Sequence, residues 1–270
     1  MTAALGLEKS AVGWPVGAAG SSSTIAQSIN ASGAIAGWYQ SGGTQHGFIR
    51  NNDGSFVTID PSGSSETEVW QIGDEGAVVG SYSSGTQRRC FLRNSAGTFT
   101  VFDVDSKGCE ARGLNANNAI VGSTTDFNGR GHSFVRAADG TVAVFDPPGS
   151  SLSEGLAIND SGTVAGWYED TQQQPHDHGY VRNSAGTITT FDGVAGGLTY
   201  AADINGKNMA TGSFFDTNFV EHAFIRKAKG GLTRVDVKGA AATESQGINA
   251  LGAITGNYLD SNQAHHGFVR

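Results

Sequence analysis

Four glutamates occupy the same place in a unit that recurs along this chain of 270 residues. They are Glu68, Glu110, Glu154 and Glu244, and each stands four residues before an apolar anchor residue. Carboxylates at equivalent positions of a ring would face a common space and raise one another's pKa. Such a set could hold a cation, bind a hydroxyl-rich ligand, or supply a general acid and base. In the alternative, structural reading, the glutamates face water or pair with neighbours such as Arg112.

We call this place the rim position; Ile25 and Tyr200 fill it in the first and fifth units. Two residues before the anchor lies a second set, the axial position, whose side chains vary between units. Its members are Gln27, Trp70, Arg112, Leu156, Ala202 and Gln246. We interpret Gln27, Trp70, Arg112, Tyr200 and Gln246 as candidate ligand-binding residues, because they combine aromatic, cationic and amide groups. Packing between units is the alternative for Trp70 and Tyr200.

The unit itself consists of Ile-Asn-x-x-Gly, a short apolar run ending in Gly, a His-Gly-Phe-x-Arg stretch and a strand ending Phe-Asp. Its anchor residues are Ile29, Ile72, Leu114, Ile158, Ile204 and Ile248. Their spacing of 42 to 46 residues is the period of a four-stranded propeller blade. The sequence therefore predicts an all-β fold: a six-bladed β-propeller of four-stranded antiparallel blades, forming one domain over residues 1–270.

Two features of the repeat predict details of this fold. The last position of Asn-x-x-Gly holds only Gly or Asn, so we predict a left-handed turn residue there. These residues are Gly33, Gly76, Asn118, Gly162, Asn208 and Gly252. The sixth unit ends at its third strand, while Ala11–Gly20 precede the first unit in the register of a fourth strand. We expect this N-terminal segment to supply the outer strand of the last blade and to close the ring.

A histidine, an arginine and an aspartate also recur in the units. The histidines are His46, His132, His178, His222 and His266, and the aspartates are Asp60, Asp103, Asp146, Asp192 and Asp236. A feature present once per blade is more economically explained as blade architecture than as repeated active sites. We therefore predict cross-strand hydrogen bonds and ion pairs within each blade.

The repeats resemble the HAF-repeat family of probable extracellular repeats, named for a His-Ala-Phe signature that appears here as His222-Ala-Phe224. The resemblance covers essentially the whole chain and implies tandem propeller-type repeats. Such repeats occur in bacterial, often exported, proteins and share no common activity, so the resemblance leaves the function open. The second unit departs from the pattern, with Arg89-Cys-Phe in place of His-x-Phe and Gly73 in place of Asn.

Composition excludes several classes of partner. The net charge is −8 and no basic cluster occurs, so we expect neither nucleic acid nor a membrane surface as a partner. No apolar run is long enough to span a bilayer, and the first twenty residues lack the pattern of a secretion signal. We expect Cys90 and Cys109 to be thiols rather than a disulfide, because two cysteines make no staple framework. We also expect a monomer.

Three classes of function remain. We favour one axial site at the channel mouth that binds a small polar molecule or sugar. Its glutamates would act as acid, base or cation-holding groups in isomerisation, elimination, cyclisation or hydrolysis, with no cofactor beyond a cation held by the ring. The alternatives are a non-catalytic, lectin-like binder of a ligand or glycan, and a protein-interaction scaffold. No metal site, phosphate loop, dinucleotide fingerprint or nucleophile elbow is indicated.

Overall fold

A computed structural model describes residues 17–105, 107–172 and 176–270 of the chain. These residues form 23 β-strands and no helix. The strands fall into six antiparallel groups that follow the repeats in order, and single parallel bridges join the first three groups into one 12-stranded sheet. The all-β prediction is therefore confirmed.

The six groups have the following strands. Group 1 contains β1 (Ser23–Ile29), β2 (Ile35–Ser41), β3 (Thr44–Arg50) and β4 (Phe56–Ile59). Group 2 contains β5 (Glu66–Ile72), β6 (Val78–Ser84), β7 (Gln87–Arg93) and β8 (Phe99–Phe102). Group 3 contains β9 (Gly108–Leu114), β10 (Ile120–Thr125), β11 (Gly131–Arg136) and β12 (Val142–Phe145). Group 4 contains β13 (Ser150–Ile158), β14 (Val164–Asp170), β15 (Asp177–Arg182) and β16 (Ile188–Phe191). Group 5 contains β17 (Thr199–Ile204), β18 (Ala210–Phe215), β19 (Glu221–Arg226) and β20 (Leu232–Val235). Group 6 contains β21 (Ala242–Ile248), β22 (Ile254–Leu259) and β23 (His265–Val269).

Consecutive groups pack against each other through buried apolar clusters. Five clusters lie at the five junctions from group 1 to group 6, and Val69, Ile120 and Phe224 are fully buried members. Within the described residues, no such cluster joins group 6 to group 1, and Ile25 and Ile29 of β1 are 40% and 66% exposed. Burial of the apolar strand faces therefore stabilises each group through its neighbours in the chain.

The first strand of every group contains a β-bulge at the axial position. In group 3, the pairing of β9 with β10 shifts between Ala111 and Gly113, which leaves Arg112 as the extra residue. The same shift isolates the axial residue in the other five groups. Opposite the bulge stands the glycine of the second strand, and a Cβ on Gly122 would lie 1.9 Å from the Glu110 carbonyl oxygen. The repeated glycine is therefore required by close approach of the backbone at the bulge.

The tight turns agree with the sequence prediction. All six residues at the last turn position have positive φ, including Asn118 and Asn208 at 58°. The turn asparagines also reach the following group: Asn115 Nδ2 donates to the Asn159 carbonyl oxygen at 3.0 Å. Asn159 and Asn205 continue this series of bonds to the next group, and Asn30 begins it by donating to Gly73. The asparagines therefore join neighbouring groups as well as forming turns.

The repeated histidines pair with aspartates of the same group, as predicted. His46 Nδ1 lies 2.7 Å from Asp60 Oδ2, and the same contact recurs in groups 3, 4 and 5. In group 2, Arg89 replaces the histidine and donates to Asp103 instead. These contacts join the third strand to the end of the fourth, so they belong to the architecture of each group.

The expectation for the cysteines was wrong, because Cys90 and Cys109 form a disulfide between β7 and β9. The two residues occupy a junction position that other groups fill differently. Ser133 and Ser153 take it in the next junction, with their hydroxyl oxygens 2.9 Å apart. A Cβ on Gly47 would approach Thr67 Cγ2 to 3.1 Å at the preceding junction. The packing of neighbouring groups brings two thiols at this position together. The number of cysteines in the sequence does not reveal this packing.

Most of the predicted closing strand, Ala11–Gly20, lies outside the residues that the structure describes. Residues 11–16 of Ala11–Gly20 lie outside the described residues, and residues 19–20 form a turn closed by a hydrogen bond from Ser21 N to the Ala18 carbonyl oxygen. Gly20 has a φ of 79°, matching 79° at Gly63 and 81° at Gly149, its equivalents before groups 2 and 4. The same type of turn therefore precedes the first strand of groups 1, 2 and 4.

Candidate functional site

One central cavity of about 550 Å³ is lined by the axial residues of all six groups. The bulge in each first strand turns the axial side chain out of the ladder and toward this space. The cavity thus brings together four of the sequence-predicted residues, Gln27, Trp70, Arg112 and Gln246. Leu156 and Ala202 complete its wall with apolar groups.

Trp70 and Arg112 form the most specific contact of this wall. The Arg112 guanidinium carbon lies 3.8 Å from the centroid of the Trp70 ring, which is a cation–π arrangement. Trp70 Nε1 and Arg112 Nε are buried and have no hydrogen-bond partner within the described residues. Buried donors without a partner are costly, so these two are available to a ligand or to water.

The rim glutamates do not form a uniform ring, because two of them are bridged by an arginine that the sequence argument missed. Arg88 donates from Nε to Glu110 Oε1 at 3.1 Å and from its terminal nitrogen to Glu68. Arg112 approaches Glu110 Oε2 at 2.5 Å, and Gln45 donates to Glu68 Oε1 at 3.0 Å. Glu68 and Glu110 are therefore held as charge-compensated carboxylates.

Arg88 belongs to a third variable position, the clasp position, which immediately precedes the repeated histidine. Its members are Gln45, Arg88, Gly131, Asp177, Glu221 and His265. The members in groups 1 to 5 face the first strand of the next group. Parallel bridges from Gln45 to Glu66 and from Arg88 to Gly108 show this for groups 1 and 2. Contacts with Leu152, Tyr200 and Glu244 show it for groups 3 to 5. The sequence signal was the unit-to-unit variation beside an otherwise repeated motif.

Glu154 differs from Glu68 and Glu110 because its clasp position is Gly131, which supplies no side chain. Burial raises the pKa of Glu154, and the charge of Glu110 adds to this effect. The Arg112 charge and a hydrogen bond from the Trp167 side chain lower this pKa, but they do not cancel the increase caused by burial. Glu154 is thus a half-buried carboxyl that takes up a proton more readily than an ordinary glutamate.

A second space, the mouth-side cavity, lies beside Glu154 and has a volume of about 250 Å³. Its charged lining consists of Arg88, Lys107, Glu110, Arg112 and Glu154. Arg112 also lines the central cavity, so this side chain connects the two spaces. Together they place a protonatable carboxyl, two guanidinium groups and an ammonium group around one opening.

Tyr200, the rim residue of group 5, is engaged by its own neighbours. Its hydroxyl donates to Asp177 Oδ2 at the clasp position, and its ring lies edge-on to Trp167 with centroids 5.3 Å apart. Burial and the adjacent Asp177 charge raise the pKa of Tyr200, while burial raises the pKa of Asp177. Trp167 therefore stands between Tyr200 and Glu154, its ladder partner on β13.

Glu244, the last rim glutamate, lies apart from the mouth-side cavity. It faces a small cavity of about 110 Å³ together with Glu221, and Gln246 Nε2 donates to its Oε1 at 3.3 Å. Burial raises the pKa of Glu221, and the Glu244 charge contributes to the same direction. The structure therefore separates the four rim glutamates. Glu68 and Glu110 form a bridged pair, whereas Glu154 and Glu244 each stand alone.

Within the described ranges, no group of three or more His, Cys, Asp or Glu side chains is arranged to hold a metal ion. The same part of the chain contains no helix that could cross a membrane.

Solved structures of similar fold are β-propellers and related proteins. Virginiamycin B lyase from Staphylococcus aureus matches with a TM-score of 0.57 and 13% identity, over 90% of this chain and 83% of that one. The β-propeller domain of the Trilobed protease from Pyrococcus furiosus matches with a TM-score of 0.66 and 8% identity, over 93% and 81%. A putative TolB from Agrobacterium tumefaciens matches with a TM-score of 0.59 and 11% identity, over 92% and 90%.

The fold is propeller-like. At these identities the likeness concerns the fold and carries no residue roles. No protein-family model matches the chain. No curated protein matches it either.

Proposed function

We propose that the protein binds a small polar molecule at the mouth-side cavity and that Glu154 acts on it as a general acid or base. The observation that carries this proposal is the absence of a clasp side chain opposite Glu154. Glu68 and Glu110 are bridged by Arg88, whereas Gly131 leaves Glu154 facing a cavity. A carboxyl with a raised pKa keeps its proton closer to neutral pH and can donate it to a bound oxygen.

The charges around this cavity favour a ligand with an anionic group. Three cations, Arg88, Arg112 and Lys107, balance Glu110, Glu154 and the Arg88-bound Glu68 when Glu154 is ionised. Protonation of Glu154 leaves one positive charge in excess. Arginine is suited to bind a carboxylate through two parallel hydrogen bonds. We therefore propose a small hydroxy acid or acidic sugar as the ligand class, with Arg112 contacting its anionic group.

The similar structures support this proposal only at the level of the fold. Virginiamycin B lyase is named as an enzyme, and the Trilobed protease match is one domain of a larger protein. A propeller scaffold is therefore compatible with both catalysis and binding, and the resemblance to HAF repeats does not choose between them. A non-catalytic binder that uses the same cavity is the alternative.

We also propose that the six groups are the blades of one closed ring, with Ala11–Gly20 completing the last blade. The axial residues of all six groups line one cavity, which supports a ring. Exposure of Ile25 and Ile29 indicates that the junction between groups 6 and 1 needs a further contact. If so, deleting residues 1–16 lowers the melting temperature, and an unchanged value overturns this part of the proposal.

The experiment for the site is a saturation-transfer NMR screen with small hydroxy acids, uronic acids and neutral monosaccharides. Binders of the wild type are then titrated against Glu154→Gln and Arg112→Gln, and their turnover is followed in the same spectra. The matched control is Glu66→Gln, which removes an exposed carboxylate two residues before the rim position. We expect turnover to be lost in Glu154→Gln and affinity to fall about tenfold or more in Arg112→Gln. Binding and turnover unaltered in both variants would contradict the proposal.

A further inference from the structure

A third space, the Phe219 cleft, lies between loops of groups 4 and 5 and has a volume of about 280 Å³. Its walls are His176 before β15, Gly196, Gly197 and Leu198 before β17, Phe215 at the end of β18, and Asp216 and Phe219 after β18. The Phe215 ring is 6.4 Å from the Tyr200 ring, so the cleft adjoins the rim residue of group 5. None of the candidate residues for proton transfer lines it.

Phe219 is unusual in both conformation and exposure. It has a φ of 59°, and 79% of the residue is exposed. Its backbone nitrogen donates to the Asp216 carbonyl oxygen at 2.9 Å, which places it in a tight turn. The equivalent turns of groups 3 and 6 use Gly129 and Gln263 at this place. A bulky residue in the left-handed region is strained, and such strain concentrates at functional sites.

Neither burial nor ring packing explains the choice of phenylalanine at this turn. A ring in contact with water gains little from the hydrophobic effect, and glycine would meet the turn's conformational requirement without strain. The exposed ring instead forms one wall of the cleft. Phe219 therefore has the character of a contact residue for something that enters the cleft.

Much of the remaining wall is apolar or lacks side chains. Glycine is the only residue type that fits at position 197, because a Cβ there would lie 2.1 Å from the Phe215 carbonyl oxygen. Leu198 and Phe215 add apolar surface beside this glycine. Such a lining favours burial of apolar area over polar contacts.

The single carboxylate of the cleft is already engaged by its own loop. Asp216 Oδ1 accepts hydrogen bonds from the backbone nitrogens of Asn218 and Val220 at 2.8 and 3.0 Å. Asp216 Oδ2 lies 3.5 Å from His222 Nε2. A sugar needs several hydrogen-bond partners around its ring, and these walls leave chiefly His176 for that purpose. The chemistry therefore selects an aromatic ring over a sugar.

We infer that the Phe219 cleft binds a small molecule through an aromatic ring. The contact is offset or edge-on stacking against the Phe219 and Phe215 rings, with Leu198 as a further apolar contact. This inference is independent of the role proposed for Glu154, since the two spaces have no lining residue in common.

The test uses indole as the probe, with methyl α-glucoside as the polar competitor. Saturation-transfer NMR is recorded for the wild type, for Phe219→Gly and for Phe127→Gly. Phe127 is the matched control, because it is a 70% exposed phenylalanine in the corresponding loop of group 3 and lines none of the described cavities. Glycine suits the positive φ at position 219, so this variant keeps the turn and its melting temperature does not fall.

We expect indole affinity to drop about tenfold in Phe219→Gly and to stay unchanged in Phe127→Gly and Glu154→Gln. Equal indole affinity in the wild type and Phe219→Gly would overturn the inference. So would an equal loss in the Phe127 control, or preferential binding of the glucoside at the cleft. Loss of hydroxy-acid turnover in Glu154→Gln, with indole binding retained, would separate the two sites.

Discussion

Arg88 Nε donates to Glu110 Oε1 at 3.1 Å across the junction between groups 2 and 3. At the next junction the corresponding residues are Gly131 and Glu154, so the clasp position supplies no cation to Glu154, and the charge of Arg112 only partly offsets its burial. One substitution in a repeated pattern thus separates a compensated carboxylate from one with a raised pKa. The candidate site arises from this difference between units rather than from what they share.

The bridging arginine should matter more for stability than the arginine next to it in the chain. Arg88→Gln leaves Glu68 and Glu110 close together without their shared cation, and these side chains are only 21% and 29% exposed. We expect a loss of about 1–2 kcal/mol in the free energy of unfolding, measured by urea denaturation. Arg89→Gln is the control: its pair with Asp103 is more exposed, and it should cost under about 1 kcal/mol. Equal losses would contradict the bridging role.

The raised pKa of Glu154 predicts a pH-dependent effect of Glu154→Gln on stability. Burial favours the protonated form in the folded state, so Glu154 destabilises the fold progressively as pH rises from its unfolded pKa through its folded pKa. Glu154→Gln removes this penalty. We expect its advantage in urea midpoint to be small at pH 4 and to grow toward pH 7. A difference that is independent of pH would show that Glu154 is not perturbed by folding.

The close approach at the bulge predicts a large contrast between two glycines of the same group. Gly122→Ala would place its Cβ 1.9 Å from the Glu110 carbonyl oxygen, and the strands must separate to accept it. We expect Gly122→Ala to lower the free energy of unfolding by about 3 kcal/mol or more, or to prevent folding. Gly131→Ala would meet its nearest atoms at 3.7 Å and should change stability by less than about 1 kcal/mol, by thermal denaturation. Similar tolerance at both positions would argue against the bulge.

The disulfide should stabilise the junction between groups 2 and 3 without being needed for the fold. The double variant Cys90→Ser, Cys109→Ser reproduces the Ser133 and Ser153 pair of the next junction. We expect the double variant to fold, with a free energy of unfolding that is lower by about 3 kcal/mol. The reason is that a bridge between residues 19 apart no longer restricts the unfolded chain. Reductant should lower the stability of the wild type and leave the double variant unchanged. Two free thiols in the denatured, non-reduced protein would contradict the bridge.

Much of the fold could be predicted from the sequence because it depends on local periodicity. The Gly and Asn turn positions follow from the conformations these residues tolerate, and all six have positive φ. The pairing of His46 with Asp60 could also be inferred, since both residues belong to one unit. Propeller-like packing then follows from the length of the repeat.

The candidate site was predicted less completely because it depends on contacts between units. The sequence singled out Glu154, Arg112 and Trp70, but gave no reason to separate Glu154 from Glu110. That separation comes from Arg88, whose position relative to the next unit depends on how the groups pack. The disulfide was missed for the same reason. Comparing the residues before each repeated histidine would have shown the Arg-to-Gly change, though not which carboxylate it faces.

The most direct test of this account is a ¹³C NMR titration of the Glu154 side-chain carboxyl in the wild type and in Gly131→Arg. The variant places at position 131 the arginine that Arg88 provides in group 2, and a Cβ there meets its nearest atom at 3.7 Å, an ordinary contact. We predict that Glu154 titrates above the ordinary glutamate value in the wild type and at a lower pH in Gly131→Arg. An ordinary pKa in both proteins would contradict the claim that Glu154, which has no arginine at its clasp position, forms the site.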